Sequence, residues 1–240
     1  MDDPATVGTD CEQVAQMSLS IDIRRKDFGP AIVLEKIAFT AKPGERIALL
    51  GPSGVGKSTL LSLIAGLDTD YDGTITSAGR TAMIFQAPRL LPWRSLIQNL
   101  LIAVPDATEQ EARAALDEVG LRDAADQHPE KVSLGMQRRA ALARALLAKP
   151  NLLLMDEPLV SLDVEAAKAM RALLLKTLNL TGATALIATH DRREALFLAD
   201  RVLEIGGAPA TLIRDRATGL PDGEQRNADM IETLHKEWFE

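Results

Sequence analysis

Gly51-Pro52-Ser53-Gly54-Val55-Gly56-Lys57-Ser58 stands between the apolar run Arg46-Ile47-Ala48-Leu49-Leu50 and a segment carrying Leu60, Leu61, Ile64 and Ala65 at helical spacing. The octet fills the pattern G-x-x-x-x-G-K-[ST] completely, in a strand–loop–helix context. Glycines let such a loop wrap so that backbone N–H groups converge on a phosphate, and the positive end of the following helix adds to the attraction. Lys57 is placed to reach β- and γ-phosphates, and the Ser58 hydroxyl to ligate Mg²⁺. The pattern predicts that Gly51, Pro52, Ser53, Gly54, Val55, Gly56, Lys57, Ser58 and Thr59 bind ATP, with Mg²⁺ as its companion.

Downstream, Leu152-Leu153-Leu154-Met155 reads as a second buried strand ending in Asp156-Glu157. A carboxylate at a strand end beside a phosphate loop can hold Mg²⁺, directly or through water, which is the expectation for Asp156. Glu157, one residue on, is positioned to polarise an attacking water. Short apolar runs bounded by turns are the mark of a parallel sheet covered on both faces, and Ala183–Ala188 supplies a third.

Around this core the pattern changes twice. Residues 1–16 are polar and read as a disordered tail, followed by period-two alternation in Ser18-Leu19-Ser20-Ile21-Asp22-Ile23 and a second strand over Ile32–Ala41. Thr74–Thr76 and Thr81–Phe85 read as short strands around a Gly79 turn. From Gln86 to Pro150 the character is mostly helical: Glu109–Val119 is amphipathic, and Ser133 is placed to cap a helix running to Ala148. Val164–Leu180 is a long helix, Val202–Ile205 and Ala210–Ile213 a closing hairpin, and Arg226–Phe239 a last helix with Ile231, Leu234 and Trp238 on one face. The predicted fold is therefore α/β: a mostly parallel sheet with helices, an antiparallel β subdomain in front, and a helical subdomain inserted at 86–150 between the core segments 17–85 and 151–240.

Composition bounds the function. A chain of 240 residues with 46% apolar and 25% charged residues is an ordinary globular protein. Its net charge of −7 argues against a general nucleic-acid binder. Cys11 alone can form neither an internal disulfide nor a metal cluster. The acidic start Met1-Asp2-Asp3-Pro4 is unlike a secretory signal, and Leu173–Thr189, the most apolar stretch, is interrupted by Lys176, Asn179 and Gly182. The expectation is a cytoplasmic protein unless another chain holds it at a membrane.

The order of these motifs resembles the ATPase subunit of an ABC transporter, and the likeness extends to five further elements. Gln86 stands where the family's Q-loop glutamine contacts Mg²⁺ or the attacking water. Val132-Ser133-Leu134-Gly135-Met136 stands where the signature, usually Leu-Ser-Gly-Gly-Gln, opens a helix. Ser161-Leu162-Asp163 matches the D-loop, His190 in Ala188-Thr189-His190-Asp191 the switch histidine, and Phe28 the adenine-stacking aromatic, although packing would equally explain an aromatic near a turn. The resemblance implies a P-loop NTPase core, with Lys57, Gln86, Glu157 and His190 catalytic and Ser58, Gln86 and Asp156 on the metal. It further implies a head-to-tail homodimer, in which Ser133 and Gly135 reach the γ-phosphate held by the other copy, and it counts Asp163 among the nucleotide-binding residues. Leu134 departs from the expected glycine, which implies active but altered hydrolysis.

Gln86-Ala87-Pro88-Arg89-Leu90-Leu91-Pro92-Trp93-Arg94-Ser95 is similar to the corresponding stretch of bacterial importers for nitrate, sulfonates and taurine. There it implies a groove near Leu90–Trp93 for transmembrane permease subunits at the cytoplasmic face of the inner membrane, with a solute-binding protein acting indirectly. Burial of the same Leu and Trp residues under the helical lobe is the alternative, and the two are compatible. An exporter or lipid-trafficking system, a non-transport ABC ATPase acting on DNA or ribosomes, and a cassette that binds without hydrolysing stay open at this point.

Overall fold

The computed structural model describes residues 17–240; the expected disordered tail and Cys11 lie outside the described residues. Three short strands, β3 (Arg46–Leu50), β6 (Leu152–Asp156) and β7 (Thr184–Thr189), are buried at every position, as parallel strands covered on both faces must be. With β5 (Thr81–Ile84), β8 (Arg201–Gly206) and β9 (Thr211–Ala217) they form a six-stranded sheet of order β5-β6-β7-β3-β8-β9. All pairings are parallel except β8 with β9. Register aligns Asp156 with Ala188 and Leu50 with Thr189, so the C-terminal ends of β3, β6 and β7 lie side by side. Ligands of open parallel sheets bind beyond those ends.

Alternation of side chains along each strand divides the sheet into two apolar faces. Leu152, Leu154, Leu186, Ile47 and Leu49 join one core with α1 (Lys57–Ile64) and the inner face of a three-stranded antiparallel sheet. That sheet has the order β2-β1-β4, from β1 (Leu19–Phe28), β2 (Ala31–Ala41) and β4 (Asp72–Ser77). On the other face Leu153, Met155, Ala185 and Ile187 continue into a core with α2 (Leu96–Ala103), α3 (Glu109–Glu118), α4 (Leu134–Leu147) and α5 (Val164–Thr181). A smaller cluster packs α6 (Arg192–Leu198) and α7 (Ala228–Phe239) through Ala195, Leu196, Ile231, Leu234 and Trp238 against Ala48 and Leu50 of β3.

Several elements differ from expectation. The first strand continues to Phe28 because its pairing with β2 runs to Phe28 opposite Ala31. The two strands flanking Gly79 enter different sheets, β4 beside β1 and β5 beside β6. The last helix begins at Ala228, capped by Asn227, because Arg226 is withdrawn into the interior. Among the described residues no helix is long and apolar enough to cross a membrane.

Candidate functional site

The loop between β3 and α1 needs glycine at two tight points. A Cβ on Gly51 would stand 2.6 Å from the Ile205 carbonyl oxygen, and Gly56 has φ 115° with Leu34 Cδ2 2.7 Å from where a Cβ would be. Gly56 is also the N-cap of α1, which has no side-chain cap and no acid in its first turn. Its leading N–H groups and positive dipole end are therefore unopposed, which suits an anion. Lys57 is 4% exposed. Its Nζ donates to the Gly51 and Pro52 carbonyls at 2.8 and 3.0 Å and lies 3.6 Å from Glu157 Oε1. Such a buried ammonium persists because each proton has an oxygen to face.

Asp156, at the buried end of β6, has the Ser58 hydroxyl as a neighbour. Burial, with Glu157 beside it, raises its carboxyl above the ordinary range against the lowering pull of Ser58 and Lys57. A hydroxyl and a carboxylate meeting in this way form a hard-oxygen pair that fits Mg²⁺. Glu157 adopts φ 47°, a left-handed conformation that costs a non-glycine residue on the order of 1 kcal/mol. Its N–H donates to the Ala188 carbonyl at 2.9 Å, and its Oε1 lies 3.2 Å from His190 Nδ1. The twist thus turns the carboxylate from the sheet toward Lys57 on one side and His190 on the other.

His190 follows the last residue of β7 and is itself half exposed. On either side of it, Thr189 is buried and Asp191 caps α6, accepting from Arg193 N and Glu194 N. The Thr189 hydroxyl accepts the Asp191 N–H at 3.1 Å and donates to Glu194 Oε2 at 2.8 Å. Sequence reading did not single out Glu194; the readable signal is an acid three residues after a helix-capping Asp.

The structure thus brings together Gly51, Pro52, Lys57, Ser58, Asp156, Glu157 and His190. Other expected site residues stand apart from this contact set. Ser133 caps α4, accepting the Met136 N–H at 3.3 Å, and lines with Gly135 and Leu162 a depression of about 440 Å³. Asp163 caps α5, accepting from Ala166 N at 2.8 Å. Leu134 is 46% exposed. Gln86 is exposed just beyond β5 and lines a small cavity with Pro158. Phe28 ends β1 at 55% exposure, with Lys26 Nζ 4.5 Å from its ring centre.

The 86–95 segment is held by two side chains that sequence reading missed. Arg144 donates to the Pro88 and Arg89 carbonyls at 3.0 and 2.8 Å. Asn99 accepts the Leu91 N–H at 2.6 Å and donates to the Leu91, Arg94 and Ser95 carbonyls. So anchored, Leu90 packs on the helical core while Trp93 stays 68% exposed.

Comparison with known proteins supplies the context for this geometry. The profile of the family described as ABC transporter matches residues 34–160. The aliphatic sulfonates import ATP-binding protein SsuB 2 of Paracoccus denitrificans is 44% identical over 177 residues, 73% of this chain and 72% of its own. SsuB 1 of Pseudomonas savastanoi pv. phaseolicola is 39% identical over 90% of this chain and 92% of its own. Among solved structures, the ATP-binding cassette MJ0796, a dimer in a post-hydrolysis state bound to ADP and Pi, aligns with a TM-score of 0.72 at 25% identity, covering 83% of this chain and 98% of that one. CbiO1 from Clostridium perfringens, part of the transporter complex cbiONQ, aligns with a TM-score of 0.75 at 23% identity and shows the shared fold; the alignment covers 93% of this chain and 96% of that one. With the matching profile spanning the phosphate loop and the Asp156–Glu157 strand end, the chain belongs to the ABC transporter family.

Proposed function

We infer that this protein is the ATP-binding and ATP-hydrolysing subunit of a bacterial ABC importer for a small sulfonate-like solute. The observation that carries the reading is Glu157 held between Lys57 and His190 at the strand ends. In this account the loop Gly51–Ser58, with Thr59, binds ATP, and Phe28 stacks on the base. Lys57 stabilises phosphate charge, and Ser58, Asp156 and Gln86 hold Mg²⁺. Bound Mg²⁺ neutralises charge on the phosphates. Glu157 takes the proton of the attacking water, while His190 and Gln86 arrange the water and the γ-phosphate. Segments 17–85 and 151–240 form the nucleotide-binding core, and 86–150 the inserted helical subdomain.

Ser133 and Gly135 complete the site across a head-to-tail homodimer, and Asp163 is a further nucleotide-binding residue. The exposed ring of Trp93, with Leu90 behind it, supports a groove for a permease helix. In this reading the subunit sits peripherally at the cytoplasmic face of the inner membrane, with a solute-binding protein engaged only through the permease. The names of the relatives, sulfonate importers at 37–44% identity, favour a sulfonate over nitrate.

Two measurements test the reading. Co-purification should recover membrane subunits, and a strain lacking the gene should fail to grow on an alkanesulfonate as sole sulfur source while growing on sulfate. Recovery of no membrane partner, or unimpaired growth on every alkanesulfonate and on taurine, contradicts the importer assignment.

A further inference from the structure

His190 lies between two residues that share one hydroxyl. Thr189 Oγ1 takes the N–H of Asp191 and gives its own proton to Glu194. Glu194 occupies the third position of α6, whose N-cap is Asp191. In a capping box, the acid at this position returns directly to the N-cap N–H, and both groups can stay at the surface. Here a threonine hydroxyl is interposed, so the backbone on both sides of His190 is tied to one carboxylate. That carboxylate is 8% exposed, and its second oxygen, Oε1, has no hydrogen-bond partner among the described residues. An unsatisfied buried oxygen is costly, and capping α6 does not require it, because Asp191 already accepts two N–H groups there. Glu194 also lines the cavity of about 350 Å³ that Glu157 and His190 share with Ser161 and Arg171.

We propose that Glu194 is a positioning residue of the hydrolytic centre: through the Thr189 hydroxyl it fixes the 189–191 turn and so aims His190 at Glu157. The proposal rests on the reading that His190 and Glu157 act in hydrolysis. Burial pushes the Glu194 carboxyl up to about 7, opposed by the Thr189 hydrogen bond and reinforced by Asp191. The titratable and charged groups facing it are Asp191 and His190 on the turn, Arg171 from α5 and Glu157 beyond β6. From α7, Glu232 is paired with Arg193. The turn therefore needs an acceptor at position 194 rather than a charge, and an amide can supply one.

The test is steady-state ATP hydrolysis by the full chain, with H190A as reference. E194A and T189V should each lower kcat roughly tenfold while KM for ATP stays within about twofold. The double variant should be no slower than either single, since both break one chain of hydrogen bonds. E194Q, which keeps the acceptor, should restore most of the rate. Should E194A fail to fold, the nearly isosteric T189V decides. Wild-type kcat in E194A or T189V beside an inactive H190A overturns the positioning role alone; additive losses, or E194Q as slow as E194A, do so too. A fully active H190A overturns the reading of the hydrolytic centre itself.

Discussion

At the ends of β3, β6 and β7 the proposed functional side chains gather: Lys57 contacts Glu157, Glu157 contacts His190, and Ser58 neighbours Asp156. At the start of α4 the arrangement is the opposite. Ser133 caps its own helix, Leu134 projects outward, and among the described residues only Ser133 Oγ, at 3.9 Å, lies within 4 Å of where a Gly135 Cβ would be. Both regions present helix N-termini suited to an anion, yet only the first has a carboxylate, an ammonium and an imidazole to act on it. In the proposed function the strand-end region does the chemistry, and the α4 turn completes a site belonging to another copy.

Breaking the strand-end region should have the largest effect. Glu157→Gln removes the proposed proton acceptor while keeping the shape, and should lower kcat on the order of 10³-fold with ATP still bound. Stopped turnover without loss of nucleotide affinity is the signature to measure. An active Glu157→Gln variant would mean that Lys57 and His190 hold this carboxylate for structure alone.

The phosphate loop and its strand-end partners were legible in the sequence because they sit at punctuated ends of buried runs, where pattern and chemistry coincide. Helix α2 was not. Leu96-Ile97-Gln98-Asn99-Leu100-Leu101-Ile102-Ala103 is apolar nearly all round, so no polar face marks its period. Its readable signal is the capping box of Ser95 and Gln98. Helix α6 has only seven residues, too few for periodicity to declare itself. Glu194 was hidden for a different reason: an acid near a helix start is expected at the surface, and its inward turn depends on where Thr189 lies in the folded sheet.

That buried acid offers the next largest effect. The folded carboxyl is raised to about 7 from an ordinary 4.5, so the neutral form is the stable one inside the protein. Its contribution to stability is complete below 4.5 and is lost as pH rises through 7. Glu194→Gln lacks this titration, so its stability relative to wild type should grow between pH 5 and 8 by an amount on the order of 3 kcal/mol. Denaturant unfolding of both proteins across that range measures it, and Asp156 cancels in the difference. Parallel curves would show that the carboxyl is solvated.

The smallest effect belongs to the α4 turn. Leu134 stands where the family's signature has glycine, and its exposed side chain would crowd an approaching phosphate. Leu134→Gly should raise turnover by about threefold, since one relieved contact at an edge is worth under 1 kcal/mol. An unchanged rate would make Leu134 a tolerated variant and leave Ser133 and Gly135 as the turn's working residues.

The contrast between the two regions is tested most directly by measuring the mass of Glu157→Gln in ATP and Mg²⁺ by light scattering, with and without Ser133→Arg. A site shared between copies predicts a dimer for the single variant and a monomer that still binds ATP for the double. A double variant that dimerises as well as the single one would contradict it.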